Sequence, residues 1–152
     1  MTSVQEQHLL LEHSFTASAL DELSNTTLDL LIRNPADSGV RMLFYFGDVF
    51  RQGSIRLTMY DEVSGVSGGS QATLNNNVFG SEAAATEATG LENPTVTGEN
   101  VHQEIVYAGQ GVSSLFNGYR TLLPPGEDVL IRAAEQDSNN VWAGIRLCWL
   151  EL

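Results

Sequence analysis

The feature that most constrains this chain is a period of two. In "NNVWAGIRLCWLEL", residues 139–152, Val141, Ala143, Ile145, Leu147 and Trp149 alternate with Trp142, Arg146, Cys148 and Leu150. Successive side chains of a strand point to opposite faces, so the first set defines a buried side. "SIRLTMYDEV" repeats the pattern, with Ile55, Leu57 and Met59 against Arg56, Thr58 and Tyr60. "EDVLIRAAE" repeats it with Val129, Ile131 and Ala133. Further strands are predicted over 9–17, 26–34, 40–50 and 101–109. No helical pattern longer than two turns is present, although "ALDELS" (19–24) has room for one short helical turn. Short strands separated by turns predict an all-β fold, an antiparallel, jelly-roll-like β-sandwich of roughly 7–8 strands.

The turns are marked by their chemistry. Asn34 and Pro35 open "NPADSG", and Gly39 supplies the backbone freedom that a sharp reversal needs. Pro125 and Gly126 do the same in "LLPPGED" (122–128). "QDSNN" (136–140) reads as a hairpin turn between the two strands that flank it. Residues 64–100 are rich in Gly, Ser, Thr, Asn and Ala and poor in large apolar side chains. They are predicted to form a long loop, either a mobile surface segment or one used for partner contact or exchange between subunits. The division is therefore an N-terminal arm or first strand at 1–25 and a sandwich domain at 26–152.

A chain of 152 residues with 42% hydrophobic content suits one domain with a real core. No apolar run reaches the roughly 18–20 residues that a membrane helix needs, and the start lacks the marks of a signal peptide. The expectation is a soluble protein with no membrane partner. Charge says more. There are 19 acidic residues against seven basic ones, all seven arginine, for a net charge of −12. Ordinary usage would supply roughly nine lysines. Their absence has a plain reading, an acidic domain of odd composition, and a sharper one, which we favour: a halophilic host, where hydrated carboxylates keep a surface soluble and arginine persists for its bidentate pairing. The arginines are scattered, at 33, 41, 51, 56, 120, 132 and 146, so no nucleic-acid partner is expected.

"RMLFYFGDV" breaks the one-sided pattern, placing Met42, Phe44 and Phe46 on one face and Leu43 and Tyr45 on the other. In a two-layer sandwich only one face meets the core, so the second must meet a neighbouring subunit or a folded-over loop. Trp142 and Trp149 have opposite parity, which buries Trp149 and leaves Trp142 outside. Aromatic residues and arginine concentrate at interface centres. Leu43, Tyr45, Trp142 and Arg146 are therefore the candidate subunit interface of a homo-oligomer.

Read in order, "NPADSG", "SIRLTMYDEVSGVSGGSQATLNNNVFGS", "LLPPGEDVLIRA" and "IRLCWLEL" resemble a family of small β-sandwich proteins. That family is encoded among the structural genes of tailed bacteriophages and related archaeal viruses. The resemblance rests on Asn34, Pro35, Ser38, Gly39, Gly68, Gly69, Asn75, Asn77, Gly80, Ser81, Pro125, Gly126 and Trp149, within residues 26–152. Asp37 and Val40 stand where that family often carries glycine and lysine. The resemblance implies a virion component that contacts the major capsid protein or other virion proteins. It would be a capsid decoration or turret subunit or, alternatively, a tail fibre or baseplate module that touches the host surface. An acidic binding or enzymatic domain unrelated to viruses is the third class.

Reactive groups do not converge in the sequence. His8, His13 and His102 lack zinc-binding spacing, and there is no nucleophile elbow, phosphate loop or dinucleotide fingerprint. Asp61 and Glu62 are adjacent, so a strand sends them to opposite faces and they read as a solvated pair. The single Cys148 excludes an internal disulfide and reads as a small hydrophobe. No catalytic, metal or cofactor-binding residue is assigned, and no enzyme is expected.

Overall fold

The computed structural model describes residues 12–77, 85–115, 120–137 and 140–152. In chain order these form β1 (Ser14–Leu23), β2 (Thr27–Arg33), β3 (Met42–Arg51), β4 (Ile55–Ser64), β5 (Ser70–Gln71) and β6 (Leu74–Asn76). There follow β7 (Thr89–Glu92), β8 (Gly98–Tyr107), β9 (Gly111–Ser114), β10 (Thr121–Leu123), β11 (Asp128–Glu135) and β12 (Val141–Glu151). They build two antiparallel sheets packed on one another, the sandwich that the alternation predicts. Sheet A runs β10-β3-β12-β1-β6, and β9 shares the outer edge of β3 with β10. Sheet B runs β5-β7-β2-β11-β4-β8.

The chain crosses between sheets from β1 to β2, from β3 to β4 and from β11 to β12. Without β5, β6 and β7 the sheets read β1-β12-β3-β9/β10 and β2-β11-β4-β8, which is jelly-roll connectivity. The described chain has twelve strands where seven or eight were expected, and the surplus has two sources. One edge strand is split into β9 and β10. The segment 64–100, expected as one long loop, carries β5, β6 and β7, which extend both sheets at the same side. Its small residues matter here: Ala72, Ala88 and Gly90 are buried, and a methyl group on Gly90 would sit 3.1–3.3 Å from Ala72, Leu74 and Ile32. At these positions poverty in large side chains reflects close packing, while most of the segment's described residues lie outside strands.

Other expectations shift too. "ALDELS" is the second half of β1, not a helical turn. "QDSNN" joins strands of different sheets and is not a hairpin. Alternation reveals which face of a strand is buried but not which strand lies beside it. Of the strand predicted at 9–17, residues 14–17 open β1, and 9–11 lie outside the described residues.

The core has the composition the alternation implies. From sheet A come Phe15, Ala17, Ala19, Val49, Ile145, Leu147 and Trp149, and from sheet B Leu28, Leu30, Ile32, Leu57, Val129 and Ile131. Trp149 is fully buried, its ring 6.1 Å from Phe15 and 5.7 Å from Phe44 between centroids. Removing so large a side chain from a close-packed core costs about 3–5 kcal/mol.

Two of the sequence-marked turns, "NPADSG" and "LLPPGED", meet at one end of the sandwich, around the fully buried Asn34. Its side-chain amide donates to Val40 O and Leu123 O, each at 2.9 Å, and its oxygen accepts the Ser38 hydroxyl at 2.6 Å. Its backbone N–H donates to Glu127 O, and its carbonyl accepts Gly126 N–H. One side chain thus ties the β2–β3 turn to the proline-led turn before β11. Gly39 has φ +71° and open space where a Cβ would lie, so it serves backbone conformation alone.

The outer face of sheet B is closed by ion pairs. Arg132 donates to both oxygens of the buried Asp29 at 2.8–3.1 Å, reaches Glu99 at 3.0 Å and lies over the Tyr60 ring. Hydrogen bonding to Asp29 holds this guanidinium above its ordinary pKa, against the opposing effect of burial. Arg33 grips Asp128 in the same two-pronged way, at 2.9 and 2.8 Å. Leu31 and Leu130, paired on this outward side, are completely buried nonetheless.

Candidate assembly surface

The outer face of sheet A differs in kind. Strand register aligns its outward side chains in cross-strand rows. Leu20, Gly144, Phe50 and Val112 form one; Ser18, Arg146, Asp48 and Ser114 form the next. Beyond these lie Thr16, Cys148 and Phe46, and then Ser14, Leu150, Leu43 and Leu122. Trp142 stands outside the first row, opposite Glu22. Leu20 and Val112 are 63% and 64% exposed, and Trp142, Tyr45, Phe46, Phe50 and Leu122 are each about two-fifths exposed.

The aromatic cluster has a local cause. Between Cys148 and Trp149 the register of β12 on β3 shifts by one residue, a β-bulge in β3 at Tyr45. Inward positions of β3 run Met42, Phe44, then Gly47, Val49 and Arg51. Tyr45 and Phe46 therefore both face out. Simple alternation had set Phe46 beside Met42 and Phe44; the bulge overturns that placement. A two-sided apolar pattern thus has two origins, a change of phase and an apolar outer surface.

Each residue singled out as an interface candidate lies on this face. Leu43 is half-buried beside Leu122, and Tyr45 shares a 2.9 Å hydrogen bond with Ser14. Arg146 donates twice to Asp48, at 3.2 and 2.6 Å, and stacks over Phe46 with its guanidinium carbon 5.2 Å from the ring centre. Bonding to Asp48 raises the Arg146 pKa. The arginine is neutralised and laid flat, so it adds planar surface more than charge. Leu20 and Phe50, in the second halves of the ten-residue β1 and β3, and Val112 and Leu122, in the short β9 and β10, were not singled out by sequence reading. Only strand pairing collects them. Gly144 leaves a shallow trough among Leu20, Phe50 and Arg146.

Charge is nearly absent here. Among the outward positions of these strands the carboxylates are Asp48, held by Arg146, and Glu22 at the rim. The outer face of sheet B is built on charge instead, with Asp29, Asp128 and Glu99 paired to Arg132 and Arg33, and Glu104 beside Thr58.

The remaining candidates for chemistry separate. Asp61 lies 3.4 Å from His102, whereas Glu62 accepts from Asn100, so the two carboxylates do not converge. Both line a cleft of about 310 Å³ whose floor is Met59, Leu123 and Val129. Cys148 is half-buried against the Thr16 hydroxyl. Arg51 is buried, with bonds to Gly109 O and Ser113 and the Tyr107 ring beneath it, which secures the β8–β9 turn. Among the described residues no three His, Cys, Asp or Glu side chains are grouped to hold a metal. Nor is any helix there long and apolar enough to cross a membrane. No protein-family model, curated protein or solved structure matches the chain.

Proposed function

We propose that this protein is a self-assembling structural subunit of a virion, displayed as a capsid decoration or turret on a tailed virus of a halophilic host. The observation that carries the reading is the outer face of sheet A: apolar, aromatic and almost free of carboxylate in a chain with 19 of them. Two molecules of net charge −12 repel wherever acidic surface meets acidic surface. A neutral face is where they approach at least cost, and burying its aromatic side chains supplies the drive. The resemblance of the turn and strand motifs to structural proteins of tailed viruses is what suggests the biological context. Jelly rolls occur in capsids, but also in lectins and cupins, so the fold alone does not choose.

A tail fibre or baseplate module that binds host glycan or protein is the competing role. Such a receptor binder would present its aromatics at loop tips, whereas here they lie on strands of a sheet face. That placement favours contact between subunits. The test is to find the protein in purified particles of the virus whose genome encodes it, by mass spectrometry and then by electron cryomicroscopy. Repeated density on the capsid exterior, with sheet A covered by a neighbour, is expected. Absence from the particle, or one copy set at the tail tip, overturns the decoration role.

A further inference from the structure

We propose that β8 pairs edge to edge with β8 of a second copy, joining the two B sheets across a twofold axis. This takes from the proposed function only that the chain associates with itself; the contact is a different one.

Exposed sheet edges invite pairing, and folded proteins blunt them with short strands, proline, lysine or bulges. The other edges among the described residues are short: β5 has two residues, β6 and β10 three each, and β9 four. β8 has ten, pairs only with β4, contains neither proline nor lysine, carries one bulge, at His102, and is exposed from Glu99 to Glu104. An edge of that length offers a row of backbone donors and acceptors to a strand of its own kind.

Side-chain order identifies the occupant. The register with β4 shifts at His102, so Val101, Glu104 and Val106 share the outer face opposite Tyr60, Thr58 and Arg56. Glu99 is on that face too, bonded to Arg132. An antiparallel mate centred between His102 and Gln103 places Val101 opposite Glu104 of the second copy and Glu99 opposite its Val106. Because the bulge lies at the centre, outward residues meet outward residues along the whole strand. No carboxylate opposes another in this register. Recentring the pair between Val101 and His102 brings Glu99 against Glu104 of the other copy, a like-charge pair that disfavours that slip. Recentring it between Gln103 and Glu104 makes no such pair but takes the bulge off the centre, so outward residues no longer meet along the whole strand.

The experiment uses the full chain with Val101→Arg and Val101→Glu variants, followed by sedimentation equilibrium over a salt series. Each substitution meets the second copy's Glu104 twice by symmetry. At molar salt, where screening is within about 3 Å, the variants and the parent associate alike; near 0.1 M they diverge. Val101→Arg tightens association roughly tenfold and Val101→Glu loosens it roughly tenfold. Amide exchange provides a second readout, with β8 protection rising with protein concentration. Identical salt curves for both variants, or β8 exchange that ignores concentration, overturns the inference. If only Phe50 and Trp142 substitutions lower the mass, the sheet A reading survives without the edge. If only β8 responds, the edge survives without the sheet A face.

Discussion

Replacing Asn34 with alanine removes the knot that joins the two turns at one end of the sandwich. Asn34 is fully buried and makes three side-chain hydrogen bonds, two of them donated to backbone carbonyls. Truncation leaves Leu123 O without this donor in a buried site and Val40 O in a partly buried one. An orphaned buried acceptor costs about 1–3 kcal/mol, so a total near 3 kcal/mol is expected, the partly buried carbonyl regaining some water. For a domain of this size that lowers Tm by roughly 6–12 °C. Asn34→Asp keeps the shape and still accepts from Ser38, yet aims carboxylate oxygen at two carbonyls. It should cost more than alanine at neutral pH, about 4 kcal/mol or more. Ser38→Ala, which loses one of the three bonds, should cost about 1 kcal/mol. Thermal unfolding followed by far-ultraviolet circular dichroism in molar salt gives all three numbers. Asn34→Asp melting within about 2 °C of the parent would refute the reasoning, because only a solvated, idle Asn34 tolerates that exchange.

Other perturbations separate backbone, ion-pair and core contributions. Gly39→Ala should destabilise by about 1 kcal/mol in denaturant titration, since φ is +71° and no neighbour obstructs the methyl group; an unchanged midpoint would mean the turn relaxes freely. Arg132→Met strands the buried Asp29 and should cost about 3–5 kcal/mol, whereas the double change with Asp29→Leu should recover most of it. Equal losses in the single and double variants would deny the pairing its role. Trp149→Phe should leave Trp142 as the reporter of the sheet A surface, with an emission maximum that shifts to the blue on assembly. A maximum that never moves with concentration would place Trp142 outside every contact.

The sandwich was legible because its core strands alternate strictly. In β4, β11 and β12 every second residue over 55–59, 129–133 and 141–149 is apolar and buried, so class and buried face follow from periodicity. The turns were legible because Asn34, Pro35 and Gly126 carry chemistry that few other conformations need. Topology was not, since nothing local tells β12 that its neighbours are β1 and β3 rather than β11. The insertion was misread for a related reason. Alanine and glycine signal looseness in composition, but in β7 and around Ala72 they permit two layers to approach closely. The assembly face was half visible. Leu43, Tyr45, Trp142 and Arg146 stood out against their strands, whereas Phe46 was hidden by a bulge that no pattern announces. Leu20, Phe50 and Val112 become one surface only when β1, β12, β3 and β9 lie side by side.

The central claim is that the outer face of sheet A, nearly free of unpaired charge, joins copies of this chain, in an acidic protein suited to high salt. Sedimentation of the parent chain and of a Phe50→Ser, Trp142→Ser variant tests it most directly, in a series from molar to tens of millimolar salt with circular dichroism alongside. At roughly 1 M salt the screening length is about 3 Å, and at about 0.1 M it is about 10 Å, so repulsion between −12 charges returns as salt is removed. The parent should sediment as an oligomer in molar salt and lose mass before any loss of β signal. The variant should lose the sheet A contact at every salt concentration while its circular dichroism spectrum stays that of the parent. A monomeric parent in molar salt, or a variant that assembles as the parent does, would contradict the claim.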